Sequence, residues 1–139
     1  MTKHVLVPTD GSELSESALD FALAEWPDAE VTLLHVIDPV EAGYSASALP
    51  SGSEEWYQQA VESAEEFFET ARRRTDRDDI VGRTEVGRPT KTIVEVAEED
   101  GYDHIVVGSH GREGVSRIVL GSVAEHVVRK APVPVTVVR

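Results

Sequence analysis

The strongest constraint on the fold of this chain is an alternation between two kinds of apolar pattern. Val5 to Val7, Val31 to Ile37 and Ile105 to Val107 are short, nearly continuous runs rich in β-branched residues, as expected of strands covered on both faces. Between the runs lie stretches of helical period. Leu14, Ala18, Phe21 and Ala22 share one helical face, with Glu13 and Glu16 near the positive end of the helix dipole. Tyr57, Ala60, Val61, Ala64, Phe67, Phe68 and Ala71 recur at steps of three and four, which predicts a longer helix after Ser53. A third helix is predicted from Pro89 to Asp100, with proline acceptable in the first turn and Gly101 placed to end it. A fourth begins near Ser122, where Ser122 and Glu125 have capping-box spacing, and stops at Arg129 and Lys130 before Pro132.

Two further runs have the character of sheet edges. Ile80 to Val86 alternates, with Ile80, Thr84 and Val86 on one side of the pleat and Arg83 and Glu85 on the other. Val133 to Val138 contains Pro134, which has no N–H to donate to a ladder. The order β-α-β-α-β-α-β-α-β implies an α/β fold, a parallel sheet with helices on both faces and right-handed crossovers. Residues 1–139 are the size of one domain, able to bury roughly two-thirds of the unfolded surface around a single core. Within it, Asp38 to Ser53 carries Pro, Gly and Ser without periodicity and is expected to be a surface loop, either functional or mobile.

Composition narrows the function. The start Met1-Thr2-Lys3-His4-Val5 has no apolar leader, and no run approaches the roughly 18 apolar residues of a membrane span, so a cytoplasmic protein is expected. There is no cysteine, which removes disulfides and thiolate chemistry. A net charge of −13 opposes attraction to nucleic acid or anionic lipid. That acidity, with ten arginines and three lysines, would suit a salt-rich, halophilic cytoplasm, where screening shortens self-repulsion; an acidic mesophilic protein is the alternative.

In open α/β sheets, ligands bind beyond the carboxyl ends of the strands where the strand order reverses. Two polar, glycine-bearing segments compete for that place: Pro8-Thr9-Asp10-Gly11-Ser12 after the first strand, and Gly108-Ser109-His110-Gly111 after the fourth. If strands two and three wind to one side of strand one and strands four and five to the other, both segments face one crevice. Gly108, Gly111 and Gly121 then have the logic of an anion site, since glycine lets backbone N–H groups approach phosphate oxygens and takes unusual dihedrals. The helix at Ser122 adds free N–H groups, and the hydroxyls of Ser109 and Ser122 add donors. On the other reading Gly108 ends a strand, Gly111 and Gly114 make a turn and Ser122 only caps a helix. Spacing alone leaves both open.

The residues themselves resemble a known family. Gly108, two residues, Gly111, nine residues, Gly121 and Ser122 together match the glycine signature of the universal stress proteins. The opening His4-Val-Leu-Val-Pro-Thr-Asp-Gly-Ser12, the segment Leu34-His-Val-Ile-Asp38 and the ending Pro132-Val-Pro-Val-Thr-Val-Val138 are similar to the same family, so the resemblance spans nearly the whole chain. It implies a single open five-stranded parallel sheet of order 3-2-1-4-5 with an adenine nucleotide alpha hydrolase-like fold. It also implies ATP binding, because members that do not bind ATP typically lack the full signature. By that likeness Pro8, Thr9, Asp10 and Val36 line the adenosine end, with Val107 and Gly108 beside them. Ser109, Gly111, Arg112, Gly114, Gly121, Ser122 and Val123 then belong to the phosphate end.

Individual side chains retain two readings. Asp10 either accepts a ribose hydroxyl or helps hold a Mg²⁺ or Mn²⁺ ion bridging the phosphates, or it caps the first helix. Arg112 and Arg117 either neutralise phosphate charge or belong to a solvated loop. His110 is expected to be a polar loop residue and His35 a buried strand residue; no catalytic residue and no metal-ligating cluster is assigned. The resemblance implies a nucleotide-dependent switch or regulator in a stress response. A slow metal-dependent ATPase or phosphotransferase, or a dimeric scaffold with no nucleotide, are the alternatives. The apolar edge Val133 to Val138 should be covered, and twofold self-pairing into a homodimer would cover it.

Overall fold

The computed structural model describes residues 2–40, 53–110 and 120–139. In chain order the elements are β1 (His4–Pro8), α1 (Glu13–Glu25), β2 (Glu30–Ile37), α2 (Ser53–Thr75), β3 (Val81–Val86), α3 (Pro89–Glu99), β4 (His104–Gly108), α4 (Ser122–Lys130) and β5 (Val135–Val138). The strands form one parallel sheet of order β3-β2-β1-β4-β5, so both expected edges are edges. Pro134 stands just before β5 and acts only as an acceptor, its carbonyl taking the Ile105 N–H at 3.0 Å. Among the described residues no helix is long and apolar enough to cross a membrane.

Alternation along the strands divides the core between the two faces. Val5 and Val7 of β1, Val31 and Leu33 of β2 and Val106 of β4 pack under α1 and α2. Leu6, Leu34, Ile105 and Val107 point the other way, under α3 and α4. In α1 the buried stripe is Ser15, Ala18, Leu19 and Ala22, at steps of three and four. Phe21, expected on that face, is instead 38% exposed and stands edge-on to Trp26 with ring centroids 6.2 Å apart. Three of the four stripe residues are small, and α1 lies close on β4: a Cβ on Gly108 would come within 3.0 Å of Leu14 Cβ and 3.2 Å of the Leu14 carbonyl. In α2, Ala64, Phe68 and Ala71 are buried, whereas Tyr57 at the predicted start of the stripe is 40% exposed.

The helix ends carry their own chemistry. Gly101 follows α3 with φ +69°, as its position after the last periodic residue requires. At the end of α2 the same job falls to Asp76, with φ +55°. The Arg77 N–H reaches the Arg72 carbonyl at 3.0 Å and the Asp76 N–H reaches the Arg73 carbonyl at 3.3 Å, the two bonds of a Schellman turn. A left-handed non-glycine residue is strained, so Asp76→Gly should raise the unfolding free energy by about 0.5–1 kcal/mol. A urea titration that shows no gain would remove the strain from this account.

At the amino end of the sheet the His104 ring lies against Trp26, centroids 4.6 Å apart, and its Nε2 is 2.7 Å from Thr136 Oγ1 of β5. Burial, and to a lesser degree the Lys3 charge, holds its pKa below the ordinary imidazole value. The folded chain therefore prefers the neutral ring, while the unfolded chain protonates at about pH 6.5. The resulting stabilisation is complete above that pH and is lost as the pH falls through it towards the lower folded value. We expect the urea midpoint to drop as the pH falls below about 6.5, and to drop less in His104→Gln. Equal losses in both proteins would assign the effect to other groups.

Candidate functional site

The strand order reverses between β1 and β4. These two strands pair through Val5↔His104 and Leu6↔Ile105, near their beginnings. Towards their carboxyl ends each is tied to its outer neighbour instead. The Thr9 N–H donates to the Leu34 carbonyl at 2.8 Å, and the Ser109 N–H donates to the Val138 carbonyl at 2.8 Å. The ends of β1 and β4 thus flank an opening at the sheet's reversal, where open α/β proteins hold ligands.

The turn after β1 is held by its own side chains. Thr9 Oγ1 accepts the Gly11 N–H at 3.2 Å and lies 3.0 Å from Ser15 Oγ. Asp10 Oδ1 accepts the Ser12 N–H at 2.9 Å. Ser12, not Asp10, caps α1, accepting the Ser15 N–H at 3.3 Å. The capping alternative for Asp10 is therefore corrected: the carboxylate closes the turn that delivers Ser12 to the cap. Gly11 has φ +81° and faces the ring of Phe67, 3.0 Å from where a Cβ would stand.

The segment after β4 differs from expectation in what its glycines do. Neither Gly108 nor Gly121 has a positive φ; both are sites of close approach. Gly108 admits Leu14 of α1, and a Cβ on Gly121 would lie 3.1 Å from His110 Cα. The Gly121 N–H donates to the Ser109 carbonyl at 2.7 Å, which fastens the start of α4 to the end of β4. Ser109 is buried at 2% exposure, with its N–H and carbonyl both committed to these backbone bonds. Gly111, Arg112, Gly114 and Arg117 lie outside the described residues, as does most of the 38–53 segment.

The start of α4 also corrects the capping box. Gly121 is the N-cap, with φ −66° and ψ 164°, and its carbonyl accepts the Glu125 N–H at 2.9 Å. Ser122 is consequently the first helical residue, and no side-chain bond caps the helix. Glu125, freed from the predicted box, pairs with Arg129 at 2.7 Å. The N–H groups of Ser122, Val123 and Ala124 precede the first intrahelical bond and point out of the helix at its positive end. That end is fixed beside the opening by the Gly121 to Ser109 bond.

Of the residues expected at the adenosine end, Pro8 is buried at the end of β1, and Val36 and Val107 join the core on the α3 and α4 side. Val123, expected at the phosphates, packs against the same core, as does Leu120, which the sequence reading did not single out. His35 was expected to be simply buried, but it is half-buried and its Nδ1 lies 3.0 Å from the Thr9 carbonyl. On the α1 and α2 side of the β1 turn lies a cavity of about 200 Å³, lined by Thr9, Gly11, Ser15, Phe67, Thr70 and Arg74 among others. Among the described residues no three metal-ligating side chains converge.

A reversed parallel sheet flanked by a strand-end turn and an uncapped helix start defines an α/β protein of the ligand-binding, doubly wound class. The chain belongs to the universal stress protein family, whose model matches residues 1–139. It is 36% identical over 160 residues to a universal stress protein of Methanocaldococcus jannaschii, covering 100% of this chain and 96% of that one. The solved structure of that protein matches with a TM-score of 0.83 and 37% identity over 99% of this chain and 96% of the other. A universal stress protein from Lactobacillus plantarum matches with a TM-score of 0.78 and 26% identity, covering 99% and 97% of the two chains. A universal stress protein solved in complex with cAMP has a TM-score of 0.67 and 28% identity, covering 99% and 97%.

Proposed function

We propose that this chain is an ATP-binding stress-response protein whose nucleotide occupancy switches its association with partners. The observation that carries the reading is the uncapped start of α4, fastened beside the opening between β1 and β4. Three backbone N–H groups with no helical acceptor, at the positive end of a helix, are a site for phosphate oxygens. Ser122 and Val123 supply two of them directly. The committed backbone of Ser109 and Gly121 serves to place them, which refines the expectation that the glycine amides themselves make the contacts. Pro8, Val36 and Val107 offer an apolar side to an adenine ring, and Thr9, Asp10 and Gly108 border it. Gly111 of the matched signature completes the phosphate end, together with Arg112 and Gly114 of the nine-residue spacer that follows it. The relative in complex with cAMP supports an adenine nucleotide as the ligand.

With no cluster of three ligating side chains among the described residues, a Mg²⁺ or Mn²⁺ ion would take most of its oxygens from the phosphates and water. We also propose a homodimer through β5, whose four residues are half-buried along an edge. Light scattering at micromolar concentration should give twice the chain mass; a monomeric mass overturns that assembly. For the nucleotide, calorimetric titration with ATP and Mg²⁺ should show one site per chain, and phosphate release should stay at the level of the blank. No binding heat from folded protein would overturn the proposal, and repeated turnover would replace the switch with an ATPase.

A further inference from the structure

We infer that His35 is a positioning residue for the adenosine end of the opening, an inference that rests on the nucleotide reading above. The Thr9 carbonyl can only accept a hydrogen bond, so the ring nitrogen 3.0 Å from it, Nδ1, carries the proton. The tautomer is thereby assigned by the partner. In a trans peptide the C=O and the following N–H point in opposite directions. Holding the Thr9 carbonyl towards His35 therefore directs the Asp10 N–H away from the α1 and α2 face, where His35 meets Phe67 of α2. The opposite face is the one on which Val36 and Val107 lie. One ring thus sets the plane of the peptide joining two of the residues expected at the adenosine.

Packing alone would not hold that plane. A pocket of about 200 Å³ borders the turn at Thr9, Gly11 and Phe67, so packing on that side is incomplete although Gly11 rests against the Phe67 ring. What remains are hydrogen bonds and one aromatic contact. Thr9 is held at its N–H by Leu34 and at its hydroxyl by Ser15 and Gly11, and although the Gly11 bond closes a turn through the Thr9–Asp10 peptide, none of these bonds engages the carbonyl oxygen itself. His35 does, and its ring is in turn set edge-on to Phe67 with centroids 5.4 Å apart. Because α2 supplies Phe67 and β2 supplies both His35 and Val36, the turn is registered to the strand that carries the expected adenosine contact.

The test compares two substitutions. In His35→Asn the side-chain amide nitrogen can stand close to where Nδ1 stood and keep the bond to Thr9; in His35→Leu the donor is gone at similar volume. We expect His35→Leu to weaken ATP binding about tenfold and His35→Asn to stay within about threefold of the parent chain, both measured calorimetrically on folded protein. A role confined to stability would lower the melting temperature of His35→Leu but leave its affinity unchanged, and that result overturns the inference. If the parent chain binds no nucleotide, the functional reading fails by itself and amide exchange decides the positioning. Exchange at the Gly11 and Ser12 N–H groups should then accelerate at least about fivefold in His35→Leu and not in His35→Asn. Equal exchange in all three proteins also overturns it.

Discussion

Gly82→Ala should destabilise the chain by about 1–3 kcal/mol, an unusually large loss for adding one methyl group at a sheet edge. A Cβ on Gly82 of β3 would stand 2.3 Å from Phe68 Cδ2 and 2.6 Å from Phe68 Cγ, well inside contact distance. Phe68 is 1% exposed and belongs to the core beneath α2, with Ala64 and Ala71 beside it on the same helix. Its ring cannot swing away without leaving the core, so the strand or the helix must shift. Phe68→Ala, which empties the space instead of crowding it, should cost about 3–5 kcal/mol. The two positions are coupled, and the combination Gly82→Ala with Phe68→Leu should cost less than the sum of the single changes by at least about 0.5 kcal/mol, because the smaller side chain leaves room for the methyl. Urea unfolding of the parent chain, Gly82→Ala, Phe68→Leu and the double variant measures the cycle. Strict additivity would mean that the ring and the glycine do not share the space described.

Gly82 lies in a run whose alternation marked it as an edge strand, yet nothing in that alternation shows that an aromatic ring rests on the glycine. The distinction marks how far the sequence could be read. Strand runs such as Val31 to Ile37 and Ile105 to Val107 are legible because covering both faces demands continuous apolar residues, whatever covers them. Edges were legible through Pro134, which has no N–H for a ladder, and through the polar side of β3, which reflects exposure of one face; both signals are carried by one strand's own residues. The stripe on α1 was not, because Phe21 and Leu19 are both apolar and neighbouring on the helix. Which of them enters the core depends on how closely α1 approaches β4, a distance set by Gly108 and Leu14 from two different elements. Ser122 and Glu125 have capping-box spacing, but the bond from Gly121 to Ser109 draws the helix start one residue earlier. The site followed the same rule. The segments that border the reversal, after β1 and after β4, could be named from local motifs, whereas the His35 bond to Thr9 spans 26 residues and left no local signal.

Ser122→Asp should separate stability from ligand binding by moving them in opposite directions. Ser122 is exposed in the first turn of α4, where no side chain caps the helix. A carboxylate there meets the positive end of the helix dipole and the open N–H groups, which should stabilise the chain by about 0.5 kcal/mol. The same carboxylate occupies those donors and places a negative charge where the proposed phosphates sit, so ATP affinity should fall at least about tenfold. Ser122→Ala isolates the hydroxyl and should weaken binding by less than the charged change does. Replacing binding-site residues often trades affinity for stability, so the diagnostic is the contrast within the pair: Ser122→Asp, which fills the N–H groups with a charge, should move both quantities, and Ser122→Ala, which leaves them open, should not gain stability. Urea unfolding and calorimetric titration of the same preparations would measure both. If the Ser122→Asp chain bound ATP as tightly as the parent, the phosphates would lie elsewhere, and the open start of α4 would be no more than a helix end left to water.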